Sequence, residues 1–157
     1  MVRIINANPG MGAALTEEEA KDFMIGHTII HIGTVDKKGE PNVVPTGYYF
    51  DKESNEIYIP TQKGSKKVEN LGKKNIISFC VDDTNPPYKG VRGKGKVRIH
   101  EDVNHNRNIA KKLLLRSLGS LEHPTAKWLL NEIEEGRGVM LEITPHYYST
   151  WDYGKAM

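Results

Sequence analysis

The chain has one cysteine in 157 residues, Cys80, which excludes an internal disulfide and any metal site built on clustered thiolates. In an apolar strand, with nothing nearby in sequence to lower its pKa, that thiol is expected to be buried and inert. No apolar run approaches the roughly 18 residues of a membrane-spanning helix. Residues 1–12 lack the charged start and apolar stretch of a secretory signal, so a cytoplasmic protein with no membrane partner is expected. An excess of one charge is also missing, since 22 Lys and Arg against 20 Asp and Glu leave a net charge of +2. A nucleic-acid partner does not follow from so mild a balance. Repeats, linkers and low-complexity segments are absent, and the length suits one domain over 1–157, domains commonly running about 100–200 residues. The hydrophobic content is 38%, low but adequate for a core at this length.

What is present reads as short strands between turns. After a loose start around Asn8-Pro9-Gly10, Thr16 and Glu19 have the spacing of a capping box, with acidic residues suited to a first helical turn. That helix is expected to end at Gly26. Strands follow at Thr28–Val35, Asn42–Phe50 and Glu56–Thr61, parted by turn residues at 36–39 and 51–55. Ile76–Val81 is a nearly continuous apolar run, expected to be a central strand. In Val91–Ile99 the residues Val91, Gly93, Gly95, Val97 and Ile99 alternate with Arg92, Lys94, Lys96 and Arg98. Helices are predicted over about 104–118, stopped by Gly119, and from Pro124 to Gly136, with Trp128, Leu129 and Ile133 on a shared side. Gly138–Thr144 reads as a last strand, and 146–153 as an aromatic tail. Short turns between consecutive strands predict a mainly β (α+β) chain, an antiparallel barrel or sandwich with helices at its flanks.

The segment Tyr58-Ile59-Pro60-Thr61-Gln62-Lys63-Gly64-Ser65-Lys66-Lys67 is the most informative. A strand ends at Thr61, a glycine-containing loop turns the chain, and Ser65 starts a short helix with Val68 and Leu71 inward. Helix starts present free N–H groups that favour an anion. Thr61 and Ser65 add hydroxyls; Lys63, Lys66 and Lys67 add charge. A phosphate pocket is one reading, and a solvated lysine-rich face is the other. The basic strand face has the same two readings: an anion-binding surface, or a solvated outer face of the barrel. Trp151 suits either a cover for a ring-shaped ligand or a hydrophobic anchor. The six histidines show no ligand spacing, and no metal is expected.

The Thr61–Lys67 stretch resembles the phosphate-binding segment of the pyridoxamine 5′-phosphate oxidase family, whose members share an FMN-binding split β-barrel. In that family a strand ends in aromatic-Thr-Asn, a short loop follows, and Ser-Arg-Lys opens a helix before the next strand. Here Pro60 and Thr61 end the strand, Ser65-Lys66-Lys67 stands for Ser-Arg-Lys, and Lys73-Lys74-Asn75 precedes Ile76–Val81. The family's upstream cofactor strand corresponds to Val44–Tyr49, where the backbone of Pro45, Thr46, Gly47 and Tyr48 would meet the flavin. The chain is also similar to the nitroimidazole-resistance relatives through Gly64-Ser65-Lys66 and Ser78–Asp82. The oxidase has arginine where Pro45 and Lys66 stand, and its C-terminal Trp and Arg-x-His pattern for the substrate phosphate is not found here.

The resemblance implies a split antiparallel barrel of about six strands with flanking helices. It further implies a homodimer holding FMN non-covalently at the subunit interface, with NAD(P)H as electron donor to a small-molecule substrate. The expected cofactor-binding residues are Pro45, Thr46, Gly47, Tyr48, Pro60, Thr61, Ser65, Lys66, Lys67 and Trp151. A deazaflavin-dependent reductase on the same fold, and a non-catalytic flavin- or nucleic-acid-binding barrel, are the alternatives.

Overall fold

The computed structural model describes residues 2–157. Thr16 and Glu19 form the expected capping box, the Thr16 hydroxyl accepting the Glu19 N–H at 3.1 Å and the Glu19 carboxylate accepting the Thr16 N–H at 3.0 Å. They open α1 (Glu17–Ile25), which buries Ala20, Phe23 and Met24. The Lys155 ammonium and the Thr16 amide hold the Glu19 carboxyl down at about 2, so a residue two before the C-terminal Met157 is fastened to the first helix.

β2 (Ile29–Val35) and β3 (Pro41–Gly47) form an antiparallel hairpin. Its turn is set by the Asp36 carboxylate, which accepts the N–H groups of Glu40 and Lys38. Gly39, at φ +80°, supplies the left-handed residue that only glycine adopts without strain. The single strand expected over 42–50 is in fact two. β3 stops at Gly47, and β4 (Tyr49–Phe50) pairs instead with β5 (Ile57–Gln62). The break falls at Tyr48, which is buried and donates its hydroxyl to the Met24 carbonyl at 2.5 Å. Docking that side chain against α1 turns a corner in the strand, a tertiary effect that local β-propensity does not carry.

α2 (Lys66–Lys73) leads into β6 (Ile76–Asp82), which lies between β2 and β7 (Lys89–His100). β6 is central as expected. Its burial nonetheless alternates, with Ile77, Phe79 and Val81 inward and Ser78 exposed. In β7 the expected alternation holds: Val91, Gly93, Gly95 and Val97 are buried while Arg92, Lys94, Lys96 and Arg98 are exposed. A Cβ on Gly93 would collide with the Tyr147 carbonyl and stand 2.8 Å from the Phe79 ring, so only glycine fits there.

α3 (Val103–Leu118) starts at the Asp102 cap and stops at Gly119 with φ +73°. α4 (Pro124–Glu134) follows, capped by His123. Trp128 does not share the buried side of α4: Ile133 is 1% exposed and Trp128 is 53% exposed. Five residues carry a helix about 140° past a whole turn, which separates the two.

The aromatic tail is not a tail. β8 runs unbroken over Gly138–Asp152, and a 3-10 turn (Tyr153–Ala156) closes the chain. Pro145, which lacks an N–H, sits opposite Gly95 beside the bulge at Lys94/Gly95, where an unpaired donor position costs nothing. The first half of β8 pairs with β5, and its second half pairs in parallel with β1 (Arg3–Asn6), a four-residue strand inside the stretch expected to be loose. The sheet order is β3-β2-β6-β7-β8-β5-β4, with β1 beside β8. Eight strands, rather than about six, make the mainly β, α+β split barrel. Its interior holds Ile32, Ile59, Phe79, Ile143 and Tyr148 among others, and α3 and α4 cover Tyr58 and Met140 on the outer face. No helix among the described residues is long and apolar enough to cross a membrane.

Candidate functional site

The end of β5 and the start of α2 form a pocket of about 280 Å³. Pro60, Thr61, Ser65 and Lys67 line it, joined by Gln62, Gly138 and three residues of α4: Trp128, Leu129 and Glu132. Ser65 is the N-cap of α2, yet its hydroxyl makes no cap hydrogen bond. Its Oγ instead faces Thr61 Oγ1 at 3.5 Å. Both hydroxyls thus stand at the pocket wall beside the first N–H groups of the helix, which have no partner within a helix.

The three lysines of this stretch divide. Lys63 pairs with Glu101 at 2.7 Å and Lys66 with Glu69 at 3.6 Å. Lys67 alone of the three enters the pocket, and among the described residues it forms no ion pair. Desolvation pushes its ammonium pKa down, the mark of a cation drawn out of water without a counter-charge. The one carboxylate on the pocket wall, Glu132, accepts from Arg137 at 3.0 and 3.1 Å, so its charge is already matched.

The remaining predicted residues lie elsewhere. Pro45, Thr46 and Gly47 are on β3, at one margin of the sheet. Pro45 stands opposite His31, and an edge strand tolerates its missing N–H. The Tyr48 side chain is committed to Met24, and Arg116 donates to its carbonyl at 3.2 Å. Trp151 pairs with Gly90, whose missing Cβ leaves room for the indole, and the Arg92 guanidinium lies 5.9 Å from its ring centroid. Thr61 pairs with Val139, twelve residues earlier on the same strand as Trp151. At about 3.3 Å per residue the two are far apart within one chain. Sequence reasoning missed the α4 wall of the pocket. The only available sign was Trp128, an aromatic at the wrong angle for the core.

Cys80 is half-buried rather than fully buried, and burial followed by the Asp82 charge pushes its thiol pKa up, which disfavours the thiolate form. It lines a wider open cleft of about 730 Å³ together with Arg3, Val43, Arg92 and Tyr147. At the other end of β7, folding gathers His100, His105 and Glu142, whose candidate ligand atoms lie within 4.8 Å of one another. No sequence spacing announced that group. Beside it, burial and the Glu142 carboxylate push the Glu56 carboxyl above its usual range.

A curled, mainly antiparallel sheet, whose strand β8 pairs with β5 over one half and β1 over the other, defines a split barrel, with a pocket of hydroxyls and one lysine at a helix start. The family model for pyridoxamine 5′-phosphate oxidase matches residues 16–152, and the chain belongs to that family. Solved structures that share the fold include the following three. A conserved hypothetical protein from Mycobacterium tuberculosis is 21% identical over 93% of this chain and 89% of its own, with a TM-score of 0.78. A candidate 5-nitroimidazole antibiotic resistance protein from Bacteroides thetaiotaomicron is 12% identical over 88% and 85%, with a TM-score of 0.70. An FAD-binding protein from Mesorhizobium loti is 18% identical over 88% and 95%, with a TM-score of 0.66. No curated protein matches the chain.

Proposed function

We propose that this chain is a flavin-dependent oxidoreductase that holds FMN non-covalently, with the phosphate on Thr61, Ser65 and Lys67. The observation that carries the reading is Lys67, a partly desolvated cation without a counter-ion in a pocket that also offers two hydroxyls. A phosphate supplies the missing negative charge and accepts from the hydroxyls and the first N–H groups of α2. Family membership, and a neighbour named for binding FAD, support a flavin as the molecule that carries the phosphate. When bound, the flavin provides the hydride and electron transfer, and the protein provides grip, orientation and access.

A pocket of about 280 Å³ suits the phosphate and the chain next to it rather than the three-ring system. In this reading the ring lies outside, against a second copy of the chain. Exposed Ile5, Ile29 and Val43, at 37%, 51% and 67%, supply apolar surface for such a homodimer, acting in the cytoplasm with NAD(P)H as donor. Trp151 would reach a flavin only from that second copy.

Comparison of FMN with riboflavin by fluorescence titration tests the reading, with an expected preference for FMN of roughly tenfold or more. Equal affinities would remove the phosphate pocket. A deazaflavin found by mass spectrometry of the co-purified ligand would move the reading to a deazaflavin-dependent reductase. Light scattering at a single-chain mass would remove the dimer.

A further inference from the structure

We propose that His100, His105 and Glu142 form a binding site for one divalent transition-metal ion of the zinc class. The site is independent of the flavin reading. His100 ends β7, His105 stands in the first turn of α3, and Glu142 is on β8. His100 Nε2 and Glu142 Oε2 lie 2.9 Å apart, with side chains 14% and 16% exposed. Ligand atoms around a tetrahedral zinc, bonded at about 2.0–2.1 Å, stand roughly 3.3 Å from each other. The present group, all within 4.8 Å, therefore needs shifts of only about 1.5 Å or less to close on an ion.

Asn106 prepares the third ligand. It is fully buried, and its Nδ2 donates to the His100 carbonyl at 2.8 Å. That bond orients the amide so that Oδ1 accepts from His105 Nδ1 at 2.9 Å. With the proton held on Nδ1, His105 Nε2 keeps its lone pair. A metal-binding histidine has this same arrangement, its other ring nitrogen donating to a fixed acceptor. One asparagine thus ties the His105 ring to the His100 backbone, and the two imidazole rings stack with centroids 4.1 Å apart.

Two carboxylates add the charge that an ion needs. Glu56 stands beside Glu142, and Tyr58 donates to Glu56 at 3.1 Å. Among the described residues neither carboxylate is ion-paired with Lys or Arg; Glu142 pairs only with His100. Two histidines and one glutamate, with the fourth position left to water or Glu56, are a borderline-soft donor set suited to zinc. Glu142 also walls an open cleft with Asn75, Lys96, Arg98, Thr144 and His146.

The test uses the purified full chain with whatever flavin it carries, stripped of metal by a chelator and dialysed, then titrated with Zn²⁺ by calorimetry. One ion per chain is expected, together with a higher melting temperature in Zn²⁺. His105→Ala and Glu142→Gln should each weaken uptake at least tenfold, while His31→Ala and His123→Asn leave it intact. Cu²⁺ in the parent chain should give an electron spin resonance spectrum with coupling to two imidazole nitrogens, a readout that does not depend on any variant folding. Flavin affinity should stay unchanged throughout, so a failure here is separate from a failure of the flavin reading. No saturable uptake by the parent chain, or uptake that survives both ligand substitutions, overturns the site.

Discussion

The pocket at α2 and the histidine–glutamate group at α3 treat charge in opposite ways. Lys67 is a cation partly withdrawn from water that forms no ion pair among the described residues, the one carboxylate on its pocket wall being matched by Arg137. His100 and Glu142, by contrast, answer each other at 2.9 Å, and Asn106 answers His105. The first place is incomplete until something anionic arrives. The second is partly satisfied from within, by the His100–Glu142 and His105–Asn106 bonds, while His105 Nε2 keeps its lone pair and two carboxylates stand side by side. An unmet charge therefore identifies the chemistry of its ligand directly, whereas a cluster of reactive side chains can be satisfied from within and needs a metal titration to reveal itself.

The comparison breaks most visibly at Lys67. Lys67→Gln should weaken FMN binding by roughly 10–100-fold, from about 1.5–3 kcal/mol for a charged contact, with riboflavin binding unchanged in the same titration. If FMN and riboflavin suffer alike, the pocket does not hold the phosphate.

A pH series sharpens the same contrast within that range. FMN affinity should fall below about pH 6 as the phosphate takes up a proton. It should fall again in alkali as Lys67 loses its proton, since the charged form is the one that binds. Burial lowers the Lys67 pKa, so this second decline should begin below the usual lysine value of about 10.4. In Lys67→Gln the alkaline decline should vanish, and its persistence would assign it to another group.

On the other side, Glu142→Gln should cost about 1–2 kcal/mol of stability. That is a fall in Tm of a few degrees at this chain length, roughly 2–4 °C per kcal/mol, read by thermal melting without metal. FMN affinity should not change. A parallel loss of FMN binding would show that the two places are one coupled system.

The smallest effect is expected at Lys66. Its partner Glu69 is 3.6 Å away and both side chains are more than half exposed, a surface pair worth about 0.5 kcal/mol or less. Lys66→Gln should change FMN affinity by no more than about twofold, as should Lys73→Gln and Lys74→Gln. Losses equal to that of Lys67→Gln would mean a diffuse basic surface instead of a pocket.

What the sequence determined by itself was local. Thr16 and Glu19 meet across a single helical turn, Asp36 to Gly39 close one hairpin, Gly119 ends one helix, and the alternation of β7 depends only on its own neighbours. Thr61, Ser65 and Lys67 were legible for the same reason, because a strand end and the helix start after it bring them to one wall without help from elsewhere. The tertiary structure decided the rest. It split 42–50 at Tyr48 to reach Met24 in α1, drew the supposed tail into β8 across a bulge that accepts Pro145, and recruited β1 to the second half of that strand. It also set α4 against the start of α2, so that Lys67 faces a pocket walled by Trp128, Leu129 and Glu132. His100 and Glu142, 42 residues apart in sequence, meet only because β7 and β8 pair in one register. Contacts of that kind depend on which strands pair and where a bulge falls, and the side-chain pattern of any single segment does not encode them.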